Sequence, residues 1–220
     1  MSEKLAALID HTLLRPESTR EQVVKTCREA VEYGFAAVCV NPCWVPLAAF
    51  EVQGSSVKVA TVAGFPLGAS ATEVKMVETE AALRCGAREV DMVINIGALR
   101  SGDCDAVRSE IAALARIAHA GGALLKAIIE AALLDDHEKA IACMLAKQAG
   151  ADFVKTSTGF GPGGATAHDV ALMRAAVGPE MGVKAAGGIR TLEDLMAMVR
   201  AGANRIGTSA GPAILEAAKL

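Results

Sequence analysis

Ala149-Gly150-Ala151-Asp152-Phe153-Val154-Lys155-Thr156-Ser157-Thr158-Gly159 joins a helix end to a short apolar run and then to a glycine-rich turn. Glycine takes the left-handed conformation that stops a helix, and the apolar residues behind it open a strand. The same punctuation stands at Tyr33-Gly34-Phe35-Ala36-Ala37-Val38, Cys85-Gly86-Ala87-Arg88-Glu89-Val90, Gly121-Gly122-Ala123-Leu124-Leu125 and Ala201-Gly202-Ala203-Asn204-Arg205-Ile206. Repeated helix–glycine–strand units mean alternating α and β elements, and alternation of that kind builds a parallel sheet.

Working outward, the pattern predicts strands near 9–13, 35–40, 57–62, 88–95, 122–130, 151–156, 182–186 and 203–208. Helices are expected near 19–33, 70–85, 104–120, 135–149, 166–177, 191–201 and 211–219, with a short one near 43–50. Capping signals mark several starts: Ser18 or Thr19 with Gln22, Ser70 with Glu73, and Thr191 with Asp194. Eight βα units within 220 residues point to a single-domain (β/α)8 TIM barrel over residues 1–220, with no linker or second domain. A doubly wound open sheet is the runner-up; no G-x-G-x-x-G follows the first strand, which weakens a dinucleotide-binding version of it.

Composition excludes several function classes. Apolar residues make up 52% and charged residues 21%, a globular balance with ample material for a core. Aromatics are only 3%, so aliphatic side chains must fill that core. The net charge of −3 is interspersed, which leaves no basic stripe for nucleic acid and no polybasic patch for a membrane. Cys27, Cys39, Cys43, Cys85, Cys104 and Cys143 form no CxxC pair, and Met1-Ser2-Glu3-Lys4 does not open a signal peptide. No apolar run is long enough to span a bilayer. The expectation is a cytoplasmic protein with reduced cysteines.

Two lysines carry the chemistry. Lys155 and Lys184 each sit in a short apolar run just before a glycine turn, and they lie one βα unit of about 30 residues apart. Adjacent parallel strands would therefore bring their ammonium groups together. A neighbouring cation disfavours the charged form of a lysine, one route to a nucleophilic amine near neutral pH. Solvated strand-edge lysines are the plainer reading of either one alone. Strand parity argues against that reading. With Asp91, Lys126, Lys155 and Lys184 facing the axis, the alternate residues Val90, Met92, Ile94, Leu125, Ala127, Ile129, Val154, Val183 and Ala185 face the helices, and all are apolar. Asp152 alone breaks this parity.

Barrel interiors are normally packed with branched aliphatics, so converging charges ask for a chemical explanation. A desolvated lysine can attack a carbonyl, and the resulting imine is an electron sink for making or breaking the adjacent carbon–carbon bond. Asp91 and Lys126, with a water, can shuttle the proton. No metal is required, and His11, His119, His137 and His168 show no ligand spacing; His119 and His137 fall on or near helices, where a solvated position is expected. Gly187-Gly188 after the seventh strand and Gly207-Thr208-Ser209-Ala210-Gly211-Pro212 after the eighth occupy the usual phosphate position of such barrels. Pro212 suits the first turn of a short helix. Gly159-Phe160-Gly161-Pro162-Gly163-Gly164 is placed to close over that site.

These segments resemble the class I, Schiff-base deoxyribose-phosphate aldolases. The resemblance is carried by Ile9-Asp10-His11-Thr12-Leu13-Leu14, Glu89-Val90-Asp91-Met92-Val93-Ile94-Asn95, Leu125-Lys126-Ala127-Ile128-Ile129-Glu130, Phe153-Val154-Lys155-Thr156-Ser157-Thr158-Gly159-Phe160 and Val183-Lys184-Ala185-Ala186-Gly187-Gly188-Ile189-Arg190. It implies reversible cleavage of 2-deoxy-D-ribose 5-phosphate to D-glyceraldehyde 3-phosphate and acetaldehyde. It further implies that Lys155 forms the Schiff base, Lys184 lowers its pKa, and Asp91 serves proton transfer. Asp10 and Thr12 are expected to hold sugar hydroxyls, and Thr158, Gly159, Gly187, Gly188, Gly207 and Ser209 to contact the substrate. No cofactor is implied, and a homodimer or higher homo-oligomer is expected. Some members use a tyrosine on a C-terminal tail for proton transfer. This chain ends Ala217-Ala218-Lys219-Leu220 and has one tyrosine, Tyr33, on a predicted helix, so the tail-assisted step lacks its residue here.

Three other classes compete. A transaldolase-like barrel would share the imine lysine but differ in the second lysine. A metal-dependent aldolase would need clustered histidines. A non-catalytic phosphosugar-binding barrel would keep the glycine turns and have no use for the lysine pair.

Overall fold

Strands β1 (Ile9–Leu13), β2 (Ala37–Val40), β3 (Lys58–Ala63), β4 (Glu89–Val93), β5 (Leu124–Ile128), β6 (Phe153–Lys155), β7 (Gly182–Ala186) and β8 (Arg205–Thr208) lie side by side in chain order. All pair in parallel, and β8 pairs back onto β1, so the computed structural model, which describes residues 2–219, is a closed single-domain (β/α)8 barrel. The connecting helices are α1 (Ser2–Ala6), α2 (Arg20–Tyr33), α3 (Val45–Glu51), α4 (Thr72–Arg84), α5 (Ile96–Arg100), α6 (Cys104–Ala120), α7 (Asp136–Gln148), α8 (Ala167–Val177), α9 (Leu192–Ala201) and α10 (Gly211–Ala217). No helix is long and apolar enough to cross a membrane among the described residues.

The glycine punctuation works as its chemistry requires. Gly34, Gly86, Gly122, Gly150 and Gly202, which follow α2, α4, α6, α7 and α9, all have φ between 67° and 113°. Thr19 with Gln22 and Thr191 with Asp194 form complete capping boxes. The expected Ser70–Glu73 box does not form. The helix begins at Thr72 with Ala71 as its cap, so Glu73 falls one position short of the third helical residue that a box needs. Asp135 with Glu138 makes an unforeseen box on α7. α1 and α5 were not anticipated either, since five residues are too few to show a helical period.

Two apolar clusters hold the barrel. The larger lies between strands and helices and takes in Val90, Met92, Ile94, Leu125, Ala127, Ile129, Val154, Val183 and Ala185, all the side chains that parity assigned to the helix face. Asp152, the exception to that parity, accepts the Leu125 N–H at 2.8 Å and lies 2.9 Å from His119, so its carboxylate is satisfied at the strand edge. The smaller cluster is inside the barrel and consists of Leu14, Ala37, Cys39, Ala60 and Val62. On the other side of the axis Gly182 lacks a Cβ because the Phe153 ring fills that space, with ring atoms 2.1–2.5 Å from where a Cβ would stand.

A buried lysine outside the barrel fixes the top of β4. Lys75 on α4 is fully buried, pairs with Glu110 of α6 at 2.7 Å, and donates to the carbonyls of Gly68 (2.8 Å) and Val93 (2.9 Å). Glu110 in turn accepts the Asn95 N–H at 3.0 Å. Removing one partner of a buried pair leaves the other charge uncompensated. Lys75→Met should therefore destabilise the fold by about 3–5 kcal/mol, measured by urea unfolding. A loss below about 1 kcal/mol, within the range of ordinary substitutions, would show that Glu110 does not depend on it.

Candidate active site

Period-two alternation along the strands places Asp10, Glu89, Asp91, Lys126, Lys155, Lys184 and Arg205 inside the barrel. Register does the rest: Asp91 stands opposite Lys126, Lys155 opposite Lys184, and Lys184 opposite Arg205. The Asp91 carboxylate is the meeting point. Its Oδ1 accepts from Lys126 Nζ at 2.7 Å, and its Oδ2 accepts from Lys155 at 2.9 Å and Lys184 at 2.8 Å. Lys184 also donates to Asp10 at 2.5 Å, and Arg205 bridges Asp10 (2.7 Å) to Glu89 (3.0 Å). Lys126 completes the network on Glu89 at 2.6 Å. Asp10, Asp91 and Lys126 are fully buried, and Lys184 is nearly so. Three carboxylates thus face four basic side chains.

Above this network a cavity of about 590 Å³ opens at the C-terminal ends of β1, β6, β7 and β8. Its walls include Thr12, Lys155, Thr158, Gly159, Gly187, Gly188, Gly207 and Ser209. Gly159 and Gly188 have φ of 86° and 81°, with nothing within 4 Å of where a Cβ would stand. Lys155 is therefore the one member of the lysine group on the cavity wall, while Lys126, Lys184, Asp91 and Asp10 lie beneath it. Asp10, expected among the substrate contacts, has its carboxylate wholly engaged by Lys184 and Arg205. Thr12 lines the cavity and donates its hydroxyl to the Asp10 carbonyl. Phe160, on the cavity wall, meets Phe65 edge to face, ring centroids 5.4 Å apart. Among the described residues no group of three or more His, Cys, Asp or Glu side chains is arranged to hold a metal ion.

A model of the DeoC/LacD aldolase family matches residues 4–217. This chain belongs to that family. It is an aldolase, a carbon–carbon lyase. It is 59% identical over 217 residues to the deoxyribose-phosphate aldolase of Thermococcus gammatolerans, spanning 98% of this chain and 96% of the relative. It is 58% identical over 213 residues to the deoxyribose-phosphate aldolase of Streptococcus gordonii, spanning 97% and 96%. Among solved structures, the tetrameric deoxyribose phosphate aldolase of Aeropyrum pernix superimposes with a TM-score of 0.93 at 39% identity, over 100% of this chain and 92% of that one.

Electrostatics separate the lysines of this aldolase barrel. Burial pushes the Lys155 ammonium below the ordinary lysine range; Asp91 opposes the shift and Lys184 adds to it. Both causes expected from the sequence, desolvation and the second lysine, act here, with loss of water the larger. Burial also works against the charge on Lys184, but Asp10 and Asp91 outweigh it and its pKa is raised. Lys126 is raised as well, burial being overcome by Asp91, Glu89 and Asp10 despite Lys184. The contrast follows from contacts: Lys155 touches one carboxylate, Lys184 two and Lys126 three. Asp91 is held well below the carboxylate range; burial would raise it, and Lys126, Lys155 and Lys184 reverse that. Burial pushes the thiol of Cys39, on the apolar side of the interior, up to about 11.

Sequence reasoning missed Glu89 and Arg205, which the same parity rule would have reached one step further down β4 and β8. It also passed over Arg15 and Arg190 on the cavity wall, although Arg190 closes one of the quoted segments.

The network has a consequence in acid. A carboxyl whose folded-state pKa lies below its unfolded value of about 3.9 adds stability above that value and loses it as pH falls through the folded one. Burial alone would raise Asp10, but Lys184, Lys126 and Arg205 hold it at about 2. Stability should therefore drop between roughly pH 4 and pH 2, and Asp10→Asn, though weaker at neutral pH, should flatten that drop. Urea midpoints across this range decide it; equal slopes in the two chains would mean that other acids carry the effect.

Proposed function

We propose that the chain catalyses reversible cleavage of 2-deoxy-D-ribose 5-phosphate to D-glyceraldehyde 3-phosphate and acetaldehyde through an imine on Lys155. The observation that carries this reading is the division of labour among the lysines. Lys155 reaches the cavity with a lowered pKa, while Lys184 and Lys126 beneath it are kept charged by carboxylates.

The neutral Lys155 amine adds to the C1 aldehyde of the open-chain sugar, and loss of water gives the iminium. Breaking the C2–C3 bond sends its electron pair into the iminium, forming an enamine. The C3 hydroxyl proton leaves to a base, and C3 becomes the aldehyde of glyceraldehyde 3-phosphate. Protonation of the enamine at C2 and hydrolysis release acetaldehyde and restore the amine. Asp91 lies 2.9 Å from Lys155 and 2.7 Å from Lys126, so it is placed to hand protons on through a water. The phosphate end is assigned to the glycine turns at Gly159, Gly187–Gly188 and Gly207–Ser209, with Arg190 at the rim. We further propose a homo-oligomer, as the Aeropyrum pernix relative is tetrameric, and a cytoplasmic location, where its free cysteines would stay reduced.

Borohydride reduction with acetaldehyde should add one two-carbon adduct, on Lys155. An adduct chiefly on another lysine, or none, defeats the assignment. Lys155→Met should be inactive at every pH. Lys184→Met should be weak at pH 7 and partly recover as pH rises toward the ordinary lysine value of about 10.4, since the remaining amine then deprotonates. Full activity of a folded Lys184→Met at pH 7 would remove Lys184 from the mechanism.

A further inference from the structure

Glu130, just beyond β5, has φ 50° and ψ 62°, the one non-glycine residue in the left-handed region among those described. Such a conformation is unfavourable for a residue with a Cβ and persists where the surroundings enforce it. Its side chain is buried, and no ion pair among the described residues includes it. It has a different occupation. The carboxylate accepts from the Thr158 backbone N–H, at 3.3 Å from each oxygen, and from the Thr158 hydroxyl. The same Thr158 oxygen accepts the Phe160 N–H at 3.0 Å. Gly161 lies against the carboxylate so closely that a Cβ would stand 2.9–3.1 Å from its atoms. The turn after β6 is thus wound around one carboxylate.

Glu130 does not line the cavity; Thr158, Gly159 and Phe160 do. Downstream, the same loop reaches the second glycine turn, where the Ala165 N–H donates to the Gly187 carbonyl at 2.9 Å. One carboxylate oxygen accepts from both Thr158 donors and the other shares the N–H, whereas an amide would set its NH2 against that N–H. We infer that Glu130 is a positioning residue: from beneath the cavity wall it holds the Thr158–Gly161 turn in the shape that receives the phosphate end of the substrate. The inference rests on the phosphosugar reading above. It also reassigns Thr158, whose hydroxyl hydrogen is given to Glu130 and not to the sugar.

Glu130→Gln keeps the shape and spoils one hydrogen bond; Glu130→Gly removes the anchor and relieves the backbone. Gly161→Ala presses on the carboxylate from the other side. In each, KM for 2-deoxyribose 5-phosphate should rise about tenfold or more, with kcat and KM for unphosphorylated deoxyribose changed less than about threefold. Inorganic phosphate, titrated calorimetrically, should bind the variants more weakly than the wild type. Thermal unfolding of Glu130→Gly should not drop in proportion to its KM. Equal rises in KM for both sugars, or phosphate binding that is unchanged in the variants or absent throughout, overturn the proposal. A wild type that traps no imine while its phosphate affinity still depends on Glu130 defeats the imine reading and leaves Glu130 in place.

Discussion

One carboxylate, that of Asp91, touches three lysines at the centre of the barrel, and the rest of the interior is arranged around making that tolerable. Buried charges must be paired, and here four basic groups meet three acids. The imbalance closes when one base gives up its proton. The candidate is Lys155, which has fewer carboxylate partners than Lys126 or Lys184 and the one lowered pKa of the three. On the reading proposed above, activation is a property of the whole network, and Glu89 and Arg205, which do not line the cavity, belong to it because they occupy Lys126 and Asp10.

The charged half of the interior has an apolar counterpart. Ala37, Cys39, Ala60 and Val62 on β2 and β3 present small side chains toward the axis and leave volume for the long lysines opposite. Outside the strands, the layer against the helices is largely apolar, the Lys75–Glu110 pair and Asp152 apart, and its burial offsets the cost of the ions inside the barrel. The cavity takes the ends of β1, β6, β7 and β8, and Phe160 on its wall is backed by Phe65.

Most of this was legible from residue order because barrel strands obey a period of two. Once Asp91, Lys126, Lys155 and Lys184 were set inward, the outward residues came out apolar, and the structure keeps every one of them in the core. What stayed hidden obeys other rules. Lys75 and Glu110 sit on helices, where a charged residue is normally solvated, and nothing local marks them as buried partners. Glu130 holds a backbone shape that sequence advertises only when glycine is present. The Ser70 cap failed because the helix starts at Thr72 with Ala71 as its cap, out of step with Glu73.

Asp10 comes from the first strand, while Lys184 and Arg205 come from the last two, so the network joins residues 174 and 195 positions apart. A ribosome must therefore release nearly the whole chain before the amine at 155 meets the neighbours that tune it. In unfinished or clipped chains that network is incomplete. On the imine reading proposed above, the fold thereby ties that chemistry to the completed molecule.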